Sequence, residues 1–180
     1  MTPPDHVEIS AEEFERLVYS FLKEVGSELD AFDIQHDVKE VVDDGTYQID
    51  IRATFKALGS VIKVLIECKH HKSPIKRETV QILRDRLQSL GAHKGILFST
   101  SKFQAGCVEY AEKHGIALVR MIEGKYTYQT KSYAKDIIYY PDDLPKYVGE
   151  YTYDKTENSY TVYNIQEGWI DGLKEFILKV

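Results

Sequence analysis

The sequence has few cysteines and no long apolar run, and these absences exclude several classes of protein. Its 180 residues include two cysteines, Cys68 and Cys107, which lack the CxxC spacing of a zinc site. No apolar stretch is long enough to span a membrane, and residues 1–6 lack the basic and apolar regions of a signal peptide. We therefore expect a cytoplasmic protein whose cysteines are core thiols, in agreement with a reducing compartment.

A surplus of positive charge is also absent, since the formal net charge is -6. This value would argue against a nucleic-acid-binding protein if the charges were evenly spread along the chain. Residues 1–59, however, carry five basic and fourteen acidic side chains, whereas residues 60–113 carry ten basic and five acidic ones. The basic side chains of the second segment either contact phosphates or are ordinary solubilising residues on a helix surface. The candidate phosphate contacts are Lys72, Lys76, Arg77, Arg84 and Arg86.

Two segments, 47–55 and 61–69, alternate apolar and polar residues as half-buried strands do. A turn centred between Leu58 and Gly59 would join them into an antiparallel hairpin. A register shift of one residue would turn the apolar set outward, so the pattern itself defines which residues face each other.

That register places Asp50 directly opposite Glu67 on the polar face of the hairpin, and Ile49 opposite Cys68 on the apolar face. Opposed residues have Cβ atoms roughly 4.5 to 5.5 Å apart, a separation at which like charges destabilise a sheet. A hard divalent cation such as Mg²⁺ would compensate this repulsion, because it takes oxygen ligands. Lys69 lies two residues after Glu67 and points to the same place. The alternative is a solvated polar face on which an aspartate and a glutamate meet.

The chain up to residue 122 alternates between helical and strand patterns. Strand and helix alternation after the hairpin predicts parallel crossovers added to an antiparallel beginning. The predicted fold is therefore α/β, with a mixed central sheet flanked by helices. The predicted elements are a helix capped by Ser10 and ended by Gly26, a strand at 32–42, a helix at 76–90, a strand at 94–100, a helix at 103–114 and a strand at 116–122.

Residues 123–180 differ in character and are predicted to form an extension or small subdomain beside a core at 10–122. Ten of the thirteen tyrosines lie in the stretch 126–163. The pattern predicts a second hairpin there, followed by a closing helix at 166–180 that carries Trp169. Tyrosine is common in strands, interfaces and base-stacking surfaces, so this segment either completes the core, makes a dimer contact or stacks on nucleic acid.

Asp50, followed after a short linker by Glu67, Cys68 and Lys69 at the end of an apolar strand, resembles the PD-(D/E)xK nuclease superfamily. The surrounding helices and strands make it similar to the Mrr-like restriction endonuclease branch, over the whole predicted core. One departure is that Ile49 precedes the aspartate where the superfamily has proline. Since that proline has no chemical role, the departure does not argue against activity.

The resemblance implies a restriction-endonuclease-like fold and a metal-dependent endonuclease that hydrolyses phosphodiester bonds in nucleic acid. DNA is the expected substrate, and restriction, defence or repair is the expected role. A homodimer is expected because cutting both strands of a duplex needs two active sites. The alternative is a catalytically inactive domain of the same fold that serves as a nucleic-acid or protein interaction module; its hallmark, a missing acid or lysine, is not seen.

The resemblance also implies which residues form the site. Mg²⁺ or Mn²⁺ would be held by Asp50, Glu67 and the backbone carbonyl of Cys68, with Lys69 as the catalytic lysine. Glu15 on the first helix is implied as a supporting acid, although it has the pattern of an exposed helix glutamate too.

Three further polar residues are considered for the site: two follow the motif directly in the sequence, and the third lies on the next predicted helix. Gln81, on the helix that borders the active site in that family, is a candidate for orienting water or phosphate, and an exposed glutamine is the simpler interpretation. His70 and His71 are assigned to the rim of the site, because a metal with oxygen ligands does not require imidazole.

Overall fold

The computed structural model describes residues 4–125, 143–155 and 160–179, which contain seven strands and four helices. The strands are β1 (Asp33–Val42), β2 (Gly45–Ala57), β3 (Ser60–Lys69), β4 (Lys94–Ser99), β5 (Ile116–Glu123), β6 (Tyr147–Lys155) and β7 (Tyr160–Ile165). The helices are α1 (Ala11–Gly26), α2 (Arg77–Ser89), α3 (Ala105–His114) and α4 (Asp171–Leu178). The strands form one sheet in chain order, in which β3, β4 and β5 run parallel and the other neighbours pair antiparallel. The predicted mixed sheet flanked by helices is confirmed.

Helix α1 begins and ends where the sequence predicts. The Ser10 side chain accepts a hydrogen bond of 3.1 Å from the backbone N–H of Glu13, which satisfies one of the free donors of the first turn. At the other end a Cβ on Gly26 would lie 2.1 Å from a ring carbon of Phe32, so only glycine fits there. The buried stripe of α1 consists of Phe14, Val18, Phe21, Leu22 and Val25.

The hairpin of β2 and β3 has the predicted register. Its two-residue turn places Leu58 and Gly59 at φ values of 49° and 80°, the left-handed pair of angles that matches the twist of a tight hairpin. The ladder then runs from Ala57 opposite Ser60 to Ile51 opposite Ile66.

The sheet buries two large apolar clusters, one on each face, and a separate buried pair, Ile122 and Val148. Ile51 and Ile66 belong to the cluster beneath α1 and α4, whereas Leu65 belongs to the cluster beneath α2 and α3. Ile49 also lies in this second cluster, so the prediction that it shares a face with Ile51 is wrong. The change of face coincides with a left-handed residue on β1: Asp37 has φ of 54°, and it stands opposite Asp50 at the one position that the ladder between His36 and Val38 skips.

The C-terminal strands continue the same sheet. The predicted second hairpin is confirmed as β6 paired with β7, and Tyr147 and Tyr151 are buried in the cluster beneath α1 and α4. The closing helix begins at Asp171, later than predicted, because residues Gln166 and Trp169 instead form a tight turn with two backbone hydrogen bonds. Trp169 is consequently 68% exposed rather than packed in a helix.

Two predictions about the C-terminal part stay open. The tyrosines between residues 126 and 142 lie outside the described residues. The division into a core at 10–122 and an extension at 123–180 stays a prediction.

Among the described helices, none combines the length and apolar character needed to cross a membrane.

Candidate active site

Asp50 lies where strand β2 leaves the ladder to β3. The last paired residues are Ile51 and Ile66, so the direct pairing of Asp50 with Glu67 that the sequence predicts is not part of the ladder. The Asp50 carboxylate instead spans the gap: its Oδ2 accepts a hydrogen bond of 2.7 Å from the backbone N–H of Cys68. The side chain thereby replaces a main-chain bond and fixes the first acid against the strand that carries the second.

Glu67 is buried and is held by two cations. It is 3% exposed, its Oε2 lies 2.8 Å from the Nζ of Lys69, and its Oε1 accepts a hydrogen bond from Nη1 of Arg86 on α2. A buried carboxylate needs such partners, because desolvation penalises an unpaired charge. The repulsion expected between Asp50 and Glu67 is therefore met within the protein, by two positive side chains at Glu67 and a backbone donor at Asp50.

Cys68 lies at the centre of the acidic residues. Burial raises the pKa of its thiol, and the carboxylates of Asp50, Glu15 and Glu67 raise that pKa further, while Lys69 lowers it. Negative charge from three different elements therefore converges on this point. A hard divalent cation prefers oxygen to sulfur, so the backbone carbonyl of Cys68 is the candidate donor of this residue.

Glu15 lies on the exposed side of α1, as its position outside the apolar stripe predicts. Its Oε2 is 3.4 Å from Nε2 of His36 on β1, and both side chains are about half exposed. Because the Glu15 charge also acts on Cys68, the structure places it on the acidic side of the site. Its predicted role as a supporting acid stays a prediction.

Gln81 is not brought together with the other predicted residues. Its side chain is exposed on α2 and makes no hydrogen bond to any residue in the described part of the chain. At 100° per residue, Gln81 lies about 140° around the helix from Arg86, the α2 residue that contacts Glu67. Its role in orienting water or phosphate stays a prediction.

His70 and His71 flank the motif and make contacts outside the acidic residues. Nε2 of His70 is 2.7 Å from the carbonyl oxygen of Ile9, and the backbone N–H of His71 donates to the hydroxyl of Thr100 over 3.0 Å. Both side chains are exposed, as expected of residues at the rim.

The basic side chains that are candidate phosphate contacts differ in the partners that they already have. Lys72 pairs with the exposed Glu8 at 3.4 Å, Arg77 lies over the Tyr110 ring, and Arg84 donates to His114 at 3.4 Å. Arg86 is the exception, since its guanidinium is bound to Glu67 inside the site.

This contact of Arg86 is the feature that sequence reasoning missed. Arg86 borders the buried stripe of α2, which contains Leu83, Leu87 and Leu90, so the helical pattern places it beside the sheet. The pattern cannot identify Glu67 as its partner, because the two residues belong to different elements that meet only in the folded chain.

The donor set fits a hard divalent cation. Asp50 Oδ1 makes no hydrogen bond within the described part of the chain, and Glu67 adds a second carboxylate. No group of three or more histidine, cysteine, aspartate or glutamate side chains suited to a metal occurs among the described residues. Two carboxylates are sufficient for Mg²⁺, which completes its coordination with water and substrate phosphate oxygens.

Three solved structures are similar to parts of the chain. They are AF1548, a protein of unknown function; VC1899 from Vibrio cholerae; and AspBHI, a DNA modification-dependent restriction endonuclease. The sequence identities are 24%, 22% and 15%, over 56%, 61% and 66% of this chain, with TM-scores of 0.45, 0.46 and 0.30. The match covers 53%, 30% and 37% of those chains, so this chain spans only about a third to a half of their length. No curated protein matches the sequence.

A family model matches most of the chain. Residues 7–136 match Mrr_cat, which is described as restriction endonuclease. The matched range contains Asp50, Glu67 and Lys69, and the structure describes it as far as residue 125. The resemblance inferred from the motif is thereby confirmed: this chain belongs to the Mrr_cat restriction endonuclease family.

Proposed function

We propose that the protein is a metal-dependent endonuclease that hydrolyses phosphodiester bonds in DNA, with a role in restriction, defence or repair inside the cytoplasm. Its membership of a restriction endonuclease family supports nuclease activity on DNA. The observation that carries the proposal is the pairing of Lys69 Nζ with Glu67 Oε2 at 2.8 Å, beside a strand end where Asp50 is bound to Cys68.

Asp50 and Glu67, with the backbone carbonyl of Cys68, are the residues that would hold Mg²⁺ or Mn²⁺. Such an ion would supply Lewis-acid stabilisation of the charge that develops on the scissile phosphate. Asp50 is suited to this role because one carboxylate oxygen is fixed by the Cys68 N–H while the other is left for a ligand. Fixed ligands need little reorganisation when the reaction begins.

Lys69 would orient the attacking water. Its ammonium group is a donor with three protons, one of which is directed to Glu67, so the others are available to a water or a phosphate oxygen. Because Lys69 is about three-quarters buried, its positive charge acts where water screens it weakly and favours a negative nucleophile nearby. Glu15 would add a further acceptor at the edge of the site.

The basic residues of α2 and the loop before it would position the DNA backbone. Lys72 and Lys76 are exposed on the loop between the motif and α2, and Arg77 is exposed at the first residue of α2. Contacts of this kind position the duplex without reading its sequence, and added salt weakens them.

The test is incubation of the purified protein with a panel of substrates, with and without Mn²⁺. The panel contains unmethylated plasmid, methylated plasmid, branched DNA and RNA. We expect the protein to cleave at least one of the DNA substrates, and we expect this cleavage to require Mn²⁺. A protein that binds the DNA panel and cuts none of it would instead be an interaction module.

A further inference from the structure

Both carboxylate oxygens of Glu67 contact a cationic side chain. Lys69 from the same strand takes Oε2, and Arg86 from α2 takes Oε1. Asp50 differs, because its hydrogen bond to Cys68 leaves Oδ1 without a partner in the described part of the chain. The two acids of the site are thus unequal: a ligand at Asp50 Oδ1 meets no protein partner in the described part of the chain, whereas a ligand at either oxygen of Glu67 meets a cationic side chain.

The charges of the four paired side chains sum to zero, and Glu15 adds a further negative charge at the edge of the site. Asp50 and Glu67 supply two negative charges, and Lys69 and Arg86 supply two positive ones. A divalent ion at Glu67 would add two positive charges close to the Arg86 guanidinium, in a place that is largely shielded from water. Like charges repel strongly there, because the local dielectric is low. The ion and Arg86 therefore compete for the same carboxylate.

We infer that Arg86 is a positioning residue that occupies Oε1 of Glu67 until a divalent ion displaces it. The inference rests on the proposed function only in taking Glu67 as a metal ligand. Arg86 orients the buried carboxylate of Glu67, and its bond to that carboxylate lowers the affinity of the site for metal. Arginine suits this task because its charge does not titrate in the physiological range.

The experiment compares Mn²⁺ binding by variants of two neighbouring arginines on α2. Arg86→Met removes one of the two cations at Glu67 and leaves Lys69 in place. Arg84→Met removes the same charge from a position on α2 that contacts His114 instead. Free Mn²⁺ is measured by its electron paramagnetic resonance signal, without DNA and at mildly alkaline pH. We expect Arg86→Met to bind Mn²⁺ about tenfold more tightly, which corresponds to losing one hydrogen bond to a charged group.

The control variants make the outcome specific. Arg84→Met should bind Mn²⁺ as the wild type does, since its charge is not at Glu67. Arg86→Lys should return the affinity towards the wild-type value, because it restores a competing cation. Equal or weaker Mn²⁺ binding by Arg86→Met, or an equal gain in Arg84→Met, would overturn the inference.

A measurement on the wild type covers the case in which Arg86→Met does not fold. The Nε–H resonance of Arg86, assigned by its loss in Arg86→Lys, should shift when diamagnetic Mg²⁺ is added to saturation. A resonance that stays unchanged while Mg²⁺ binds would contradict displacement.

Failure of this inference is distinguishable from failure of the proposed function. A protein that cuts DNA while Arg86→Met leaves Mn²⁺ affinity unchanged keeps the function and loses the inference. If the wild type cuts no DNA but Arg86→Met gains Mn²⁺ affinity, the inference stands and the proposed function is lost. If neither the wild type nor Arg86→Met binds Mn²⁺, the inference and the proposed metal site are both overturned.

Discussion

The Asp50 carboxylate accepts a hydrogen bond of 2.7 Å from the backbone N–H of Cys68, at the point where β2 separates from β3. This bond joins the first acid of the site to the strand that carries Glu67 and Lys69. It also gives Asp50 a structural role that is separable from its proposed chemical one, since one oxygen serves the fold and the other is left for a ligand.

The first prediction compares two substitutions of Asp50 in the absence of metal. Asp50→Asn keeps a side-chain carbonyl that can accept the Cys68 N–H, so its free energy of unfolding should change by less than about 1 kcal/mol. Asp50→Ala leaves that donor unpaired and should destabilise by about 1 to 3 kcal/mol. Urea denaturation measures both values. Equal stabilities of the two variants would show that the bond does not matter.

The second prediction concerns stabilisation by metal. An ion that binds only the folded protein stabilises it by about 2.7 kcal/mol at a concentration a hundred times its Kd. Since 1 kcal/mol moves Tm by roughly 2 to 4 °C in a protein of this size, Mn²⁺ should raise Tm by several degrees. The response should be smaller in Asp50→Asn, whose amide is a weaker ligand. Equal responses in thermal melting would remove Asp50 from the metal site.

The third prediction concerns acid stability and Glu40. Its carboxylate lies 2.7 Å from Arg52 and 3.2 Å from Lys63. Burial raises the pKa of Glu40, but hydrogen bonds and charges from the two cations outweigh it and lower the pKa below its ordinary value of 4.5. The unfolded chain therefore binds more protons in acid, so this stabilisation is present above about pH 4.5 and is lost as the pH falls through the folded-state pKa.

The measurement for Glu40 is the free energy of unfolding as a function of pH. Glu40→Gln should be less stable than the wild type at neutral pH and should lose less stability in acid. Glu109→Gln, a substitution at an exposed residue of α3, is the matched control and should follow the wild-type curve. Parallel curves for Glu40→Gln and the wild type would contradict the prediction.

The hairpin that carries the motif could be predicted from sequence because its determinants are local. Period-two alternation defines the face of each strand, and the turn at Leu58 and Gly59 defines the register. The cap at Ser10 is equally local, since its partner, Glu13, is three residues away. Each of these features depends on residues a few positions apart, so it can be predicted from the sequence.

The parts that could not be predicted depend on contacts between distant residues. The β1 and β2 pairing is interrupted opposite Asp50, at the left-handed residue Asp37, and Ile49 lies on the other face from Ile51; alternation alone cannot reveal either feature. The bond from Arg86 to Glu67 joins α2 to β3 only after the helix has packed on the sheet. Both features lie at the site, where regular patterns give way to a specific arrangement.

The fourth prediction is that the protein is a symmetric dimer, because cleavage of both strands requires two sites. Tyrosine and tryptophan are enriched in interface cores, and Trp169, which follows the tyrosine-rich stretch 126–163 in the sequence, is 68% exposed. Sedimentation velocity at micromolar concentration should give twice the chain mass of 20.8 kDa. Trp169→Ser should shift the population towards monomer without unfolding it. A wild type that sediments as a monomer with and without DNA would contradict the prediction.

The central claim is that Asp50, Glu67 and Lys69 act together in cutting DNA. The most direct measurement is the rate at which supercoiled plasmid is nicked in the presence of Mn²⁺ by the wild type, Asp50→Asn, Glu67→Ala and Lys69→Ala. We predict cleavage by the wild type and a loss of at least about a hundredfold in each variant. Double variants should be scarcely slower than single ones, because residues that act as a unit are not additive. Variants that cut at the wild-type rate, or a wild type that cuts no nucleic acid, would contradict the account.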